Sequence, residues 1–135
     1  LHYPLRRQRQ MCIRDRDYPI EIETGAEVLT GSTRMKAGTA TKMVLNMIST
    51  TAMVKIGKVY DNLMVDLRPT NEKLIDRARK IIVELTGISY ERAGEILEEA
   101  NNQVKPAIIM ANKNISYEKA LEILKINQGF IREDL

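Results

Sequence analysis

From Met43 to Ile56 the chain is apolar almost all the way round a helix. Ala37, Ala40, Met43, Val44, Leu45, Met47, Ile48, Ala52, Met53, Val54 and Ile56 cover most of the circumference, which marks a helix packed on several sides. Its start is written just upstream, where Gly31-Ser32-Thr33 offers a hydroxyl N-cap. The pattern therefore predicts a long buried helix from about Ser32 to Lys55, stopped by Gly57. Ahead of it, Tyr18-Pro-Ile-Glu-Ile-Glu23 alternates apolar and polar residues and predicts one short strand. Pro19 confines that strand to a start or an edge. One strand is little cover for such a helix, so most of its packing partners are expected from outside this chain.

Beyond Gly57 the pattern changes. Tyr60–Asp66 is mixed, and reads either as a turn of helix or as an extended connector. Pro69 then breaks the chain. Leu74, Ile75, Ala78, Ile81, Ile82 and Leu85 fall at helical spacing, after a cap at Thr70-Asn71 and before a stop at Gly87. Three short helices follow, with their starts legible. Ser89 opens one that buries Ala93, Ile96, Leu97 and Ala100. Asn101-Asn102 turns the chain into Val104–Ala111, where Pro106 lies near the first turn. Asn114 and Ser116 open the last, with Ala120, Leu121, Ile123 and Leu124 inside. Ser89-Tyr-Glu-Arg-Ala and Ser116-Tyr-Glu-Lys-Ala repeat one start signal 27 residues apart. Two copies fall short of a solenoid. The whole reads as mostly α, with a connecting helix over 69–86 and a compact bundle over 87–135.

Composition sharpens this in two ways. Trp is absent and Phe130 is the only Phe, so the core has to be aliphatic. Met43, Met47, Met53, Met64 and Met110 are expected as core filler rather than as a redox or copper box. No apolar run approaches the roughly 18–20 residues of a membrane span. The net charge of +3 is unevenly spread: residues 1–16 carry five Arg against Asp15, and the other residues carry 16 basic and 17 acidic groups. The basic pI thus belongs to the head, which reads either as a basic arm for RNA or an acidic surface or as a disordered or non-native leader. The domain proper has no nucleic-acid signature. Cys12 and His2 are the only residues of their kinds, which excludes a Cys/His metal site or an internal disulfide.

Chemistry concentrates in Leu29–Lys42, which packs hydroxyls, small residues and fixed positive charge into the start of the long helix. One reading is an anion cradle: Ser32 and Thr33 hydroxyls with the first free N–H groups on phosphate oxygens, and Lys36 or Arg34 adding charge. The other is an ordinary capped helix with solvated basic residues. The Gly-Lys-Ser/Thr spacing of a P-loop is missing. Glu27 is the only carboxylate close by, and either orients a sugar hydroxyl, moves a proton, or is simply solvated. Glu95, Glu98, Glu99, Glu118 and Glu122 fall on exposed helix faces. Asp61 and Asp66 lack a third ligand for a metal.

The stretch Gly25-Ala-Glu-Val-Leu-Thr-Gly-Ser-Thr-Arg-Met-Lys-Ala-Gly-Thr-Ala-Thr-Lys42, with Gly57–Asp66, Thr70–Leu74 and the closing Gly129-Phe-Ile-Arg132, resembles the N-acetylmuramic acid 6-phosphate etherase family. That family lies in the sugar isomerase (SIS) superfamily and is related to the glucokinase regulatory protein. The resemblance covers about Tyr18 to Leu135. It implies a cytoplasmic homodimeric lyase of peptidoglycan recycling, working without metal or other cofactor. Such an enzyme cleaves the lactyl ether of N-acetylmuramate 6-phosphate to N-acetylglucosamine 6-phosphate and D-lactate. Residues 17–68 would then be the end of an α/β SIS domain, and 87–135 a three-helix bundle resembling a ubiquitin-associated domain. Ser32, Thr33, Lys36 and Glu27 would belong to the sugar-phosphate wall. No position matches the family's two catalytic glutamates, which lie in its N-terminal part. No catalytic residue is therefore carried over, and the chain is expected to be inactive alone. A non-enzymatic sugar-phosphate-sensing module is the alternative within the superfamily, and a helical interaction domain the alternative outside it.

Overall fold

In a computed structural model, residues 17–131 are described. The leader read at 1–16, and Arg132 with the last three residues, lie outside the described residues. Among the described residues the chain is mostly helical: α1 (Lys36–Lys55), a hairpin of β1 (Val59–Tyr60) and β2 (Leu63–Met64), then α2 (Glu72–Thr86), α3 (Tyr90–Glu99), α4 (Val104–Lys113) and α5 (Tyr117–Ile126). It divides into two compact units, one running to Asn46 and the other from Met47.

In the second unit each element follows from local chemistry. α1 stops in a Schellman arrangement: Lys58 N–H donates to the Met53 carbonyl and Gly57 N–H to that of Val54, both at 3.0 Å. Gly57 takes φ 72°, and a Cβ there would stand 3.1 Å from the Phe130 ring, so the position demands glycine twice over. Asp61-Asn62 turns the hairpin, with Asp61 at φ 51°, and Val59 pairs with Met64 and Tyr60 with Leu63. The connector is thus a hairpin, one of the conformations a two-residue Asp-Asn loop suits. Asn71, rather than Thr70, caps α2: its Oδ1 accepts from Leu74 N–H at 2.9 Å. Gly87 closes that helix at φ 71° by donating to the Val83 carbonyl. Ser89 caps α3 through its Oγ, which accepts from Arg92 N–H at 3.2 Å. Ser116, in the repeated start signal, takes the same extended N-cap conformation without a side-chain cap bond.

These helices close one dry core. α2 contributes Ala78, Ile81 and Ile82, α3 contributes Ala93, Ile96 and Leu97, and α5 contributes Ala120 and Leu124. α4 is buried nearly all round, which makes it the central element. Val65, just after the hairpin, is buried in the same cluster. Each large aliphatic side chain removed from water stabilises the fold by about 1.5–3 kcal/mol. Leu121 is an exception to the expected core, since it lies on the outer face of α5 and is exposed. At the rim, Lys105 Nζ donates to the Gly129 carbonyl at 2.8 Å, and Asp66 pairs with Lys58 at 3.1 Å. Glu95 and Glu99 both pair with Arg92 on the surface.

The first unit departs from its sequence pattern. Residues 18–23 form no strand. A lone strand has no ladder to satisfy its backbone groups, and the described residues of this unit supply no second one. α1 ends at Lys55 as expected but starts at Lys36, four residues later than the Ser32 start predicted, and buries none of its 20 residues. Met43, Met47, Met53 and Met64 are exposed, and of the five methionines expected as core filler only Met110 is buried. The apolar circumference of α1 is real, but little in the described chain covers it: of its apolar positions only Ala37, Ala40 and Val44 are half-buried.

Candidate functional site

The site is built at the start of α1, within the first unit. The helix opens at Lys36, four residues after Ser32. Neither Ser32 nor Thr33 caps it. The cap comes from nine residues upstream: Glu27 Oε2 accepts from Lys36 N–H and Glu27 Oε1 from Ala37 N–H, each at 3.0 Å. The carboxylate therefore sits on the positive end of the helix, where charge and donors both favour it. Lys36 closes the same junction from the other side, its Nζ donating to the Ala26 carbonyl at 2.8 Å. Between these ties the chain turns through Leu29–Ser32, with Ser32 N–H donating to the Leu29 carbonyl at 3.0 Å and Gly31 at φ 86°. Gly38 lets the loop pack against the helix, because a Cβ there would come within 3.3 Å of the Thr33 carbonyl.

The geometry reassigns the anion cradle. The first two N–H groups of the helix are taken by Glu27. The donors still open are upstream of them: the hydroxyls of Ser32 and Thr33 make no hydrogen bond among the described residues. Ser32 is half-buried, while Thr33, Arg34 and Lys36 are exposed. A groove of about 520 Å³ runs beside the loop. Thr24, Glu27, Thr33 and Thr41 give it polar atoms, and Ile22 and Val44 are among its apolar lining. Glu27 and Thr33 thus share one wall, whereas Ser32 and Lys36 stand outside the groove.

Electrostatics assigns Glu27 a state. Hydrogen bonds from the Ala37 and then the Lys36 backbone hold its carboxyl below the usual value, with the Lys36 ammonium adding to them. A general acid needs the opposite shift. Glu27 is therefore a carboxylate tied through both oxygens to the helix end, and not merely a solvated side chain. The cap was missed because the usual capping patterns look two or three residues ahead. Gly31, at positive φ in the turn between Glu27 and Lys36, is the signal that the chain doubles back far enough to bring Glu27 to the helix. Among the described residues no cluster of three or more His, Cys, Asp or Glu is arranged to hold a metal ion. No helix among them is long and apolar enough to cross a membrane.

No family model matches the chain. Curated relatives do. An Exiguobacterium protein named N-acetylmuramic acid 6-phosphate etherase is 57% identical over 122 residues, or 90% of this chain and 42% of the relative. A Bacillus cereus protein of the same name is 59% identical over 116 residues, 86% of this chain and 40% of its own length. One from Shouchella clausii is 60% identical over 114 residues, 84% of this chain and 38% of the relative. The chain is a homologue of the N-acetylmuramic acid 6-phosphate etherases. It spans about two fifths of the length of the curated relatives it matches. A match of 122 residues leaves at most 13 of the 135 outside it, so the etherase-like region includes the whole of Glu27–Ala37 and the groove beside it.

Proposed function

We propose that this chain is the C-terminal part of an N-acetylmuramic acid 6-phosphate etherase. The complete protein is a carbon–oxygen lyase of peptidoglycan recycling. It opens the lactyl ether of N-acetylmuramate 6-phosphate by elimination, then adds water, and releases N-acetylglucosamine 6-phosphate and D-lactate. The proton-transferring carboxylates belong to the portion of the enzyme that this chain lacks, so the chain is inactive alone. Ser32 and Thr33 present hydroxyls to the sugar phosphate, Lys36 supplies positive charge beside them, and Glu27 belongs to the same wall. In this reading α1 is the last core helix of an SIS domain, the helical unit after it is UBA-like, and the enzyme is a cytoplasmic homodimer. The observation that carries the proposal is the 57–60% identity to etherases across a stretch that contains the hydroxyl loop. The exposed apolar girdle of α1 supports it, because such a helix belongs inside a larger core.

The test joins this chain to the remaining N-terminal portion of the Exiguobacterium relative and supplies N-acetylmuramate 6-phosphate. D-lactate should appear with the joined protein and not with the chain alone. Release of D-lactate by the chain alone would refute the claim that its catalytic groups lie elsewhere. Tight binding of the sugar phosphate by the joined protein without D-lactate would favour the sensing module instead.

A further inference from the structure

We infer that Glu27 is a positioning residue, whose carboxylate holds the Ser32–Thr33 loop in place for the sugar phosphate without touching it. The inference rests on the site reading just given and assigns a role within it. Both carboxylate oxygens are committed, at 3.0 Å each, to the backbone N–H groups of two consecutive residues. Those two bonds fix the carboxylate's orientation on the helix end, and as an anion it would repel a phosphate brought against it. Its partner residue returns the tie: Lys36 Nζ reaches the Ala26 carbonyl at 2.8 Å. Ala26-Glu27 and Lys36-Ala37 therefore form a reciprocal clasp, made of two backbone donors, one side-chain donor and their acceptors.

The clasp closes an eight-residue loop, Val28–Met35, that contains the Ser32 and Thr33 hydroxyls and the Arg34 guanidinium. Inside the loop only the Ser32-to-Leu29 bond joins backbone groups. Two exposed apolar side chains, Val28 and Leu29, contribute no packing to hold it. The loop's shape thus depends on its ends, and Glu27 ties the ends. A loop held this way keeps its hydroxyls pre-placed, so the ordering cost is met in folding rather than on binding. Loss of the clasp should therefore weaken ligand binding and leave the chemical step nearly untouched. Lys36 is the charged group beside the carboxylate, and its ammonium favours the ionised form.

The test has two arms. In the first, amide resonances of the full chain are followed by NMR from pH 7 to pH 3, for the wild type and for E27Q. Lys36 and Ala37 should shift together with a midpoint below that of an ordinary glutamate, Ser32 and Thr33 should move at the same midpoint, and E27Q should abolish the step. Ser32 and Thr33 staying unmoved through that step, or behaving alike in both proteins, would overturn the clasp. In the second arm, the joined etherase is assayed with N-acetylmuramate 6-phosphate. E27A should raise KM about fivefold, the factor equivalent to a typical cap's loss of ~1 kcal/mol carried into ordering the loop, with kcat within about twofold, and E27D should recover part of the loss. A collapse of kcat with KM unchanged would overturn the positioning role and make Glu27 a reacting group. If the pH step at Ser32 and Thr33 appears as expected but the sugar phosphate shifts neither resonance in the joined protein, the clasp stands and the site reading falls.

Discussion

The helical unit and the stretch that carries the hydroxyl loop treat their apolar residues in opposite ways. α2 to α5 turn Ile82, Leu97, Ile108 and Ile109 into a core from which water is excluded. α1 carries as rich an apolar pattern and buries none of it; Leu45 alone is 61% exposed. Periodicity reports which residues want cover, but only the presence of a partner decides whether they get it. In α2–α5 the partners are neighbours in sequence. For α1 they are not among the described residues.

The comparison breaks or holds on substitution. Ile82→Ala should remove about 3–4 kcal/mol of stability, because it opens a void in a fully packed interior. Leu45→Ala in α1 should change stability by no more than about 0.5 kcal/mol, as for a surface position. Chemical denaturation of the full chain measures both, and equal losses would erase the distinction between the regions. Gly57→Ala comes next, at more than about 1 kcal/mol, because alanine is strained at φ 72° and its Cβ meets the Phe130 ring. Asn71→Ala should cost about 1 kcal/mol through loss of the α2 cap.

The smallest effect is the pH dependence of the Glu27 clasp. Its carboxyl is held below the ordinary value of 4.5 in the folded chain. Its contribution is therefore complete above that ordinary value and is lost as pH falls through the lower folded value. The amides of Lys36 and Ala37 should report that loss locally, while Ile82 and Ile108 keep their resonances. A global transition over the same pH range would mean that the clasp does not act locally.

The helical unit was legible because its signals are local. Ser89, Gly87 and Asn101-Asn102 act on residues within one turn, and the burial of Ala93, Ile96 and Leu97 follows from spacing alone. The pattern at Tyr60–Asp66 does not separate a turn of helix from an extended connector, and the hairpin at Val59–Met64 stays hidden in it, since two-residue strands carry almost no periodicity. The strand expected at Tyr18–Glu23 requires a partner strand that the described residues of this unit do not supply. At the site, the chemical residue types stood out, but the cap did not. Ser32 and Thr33 have the composition of an N-cap, and yet a carboxylate nine residues away takes the helix end, because the turn through Gly31 delivers it there. Contact between residues so separated depends on backbone turns, which residue spacing does not encode.

Hydrogen exchange of individual amides puts the contrast to its most direct test. In the chain alone, Met43–Ile56 should exchange at least about tenfold faster than Ile82, Leu97 and Ile108, the spread expected between an uncovered helix and a core. In the protein joined to the N-terminal portion of an etherase, that helix should become protected to a similar degree as the core. Protection of α1 equal to that of α2 in the chain alone, or unchanged on joining, would contradict the claim that the hydroxyl loop rides on a helix belonging to a larger enzyme.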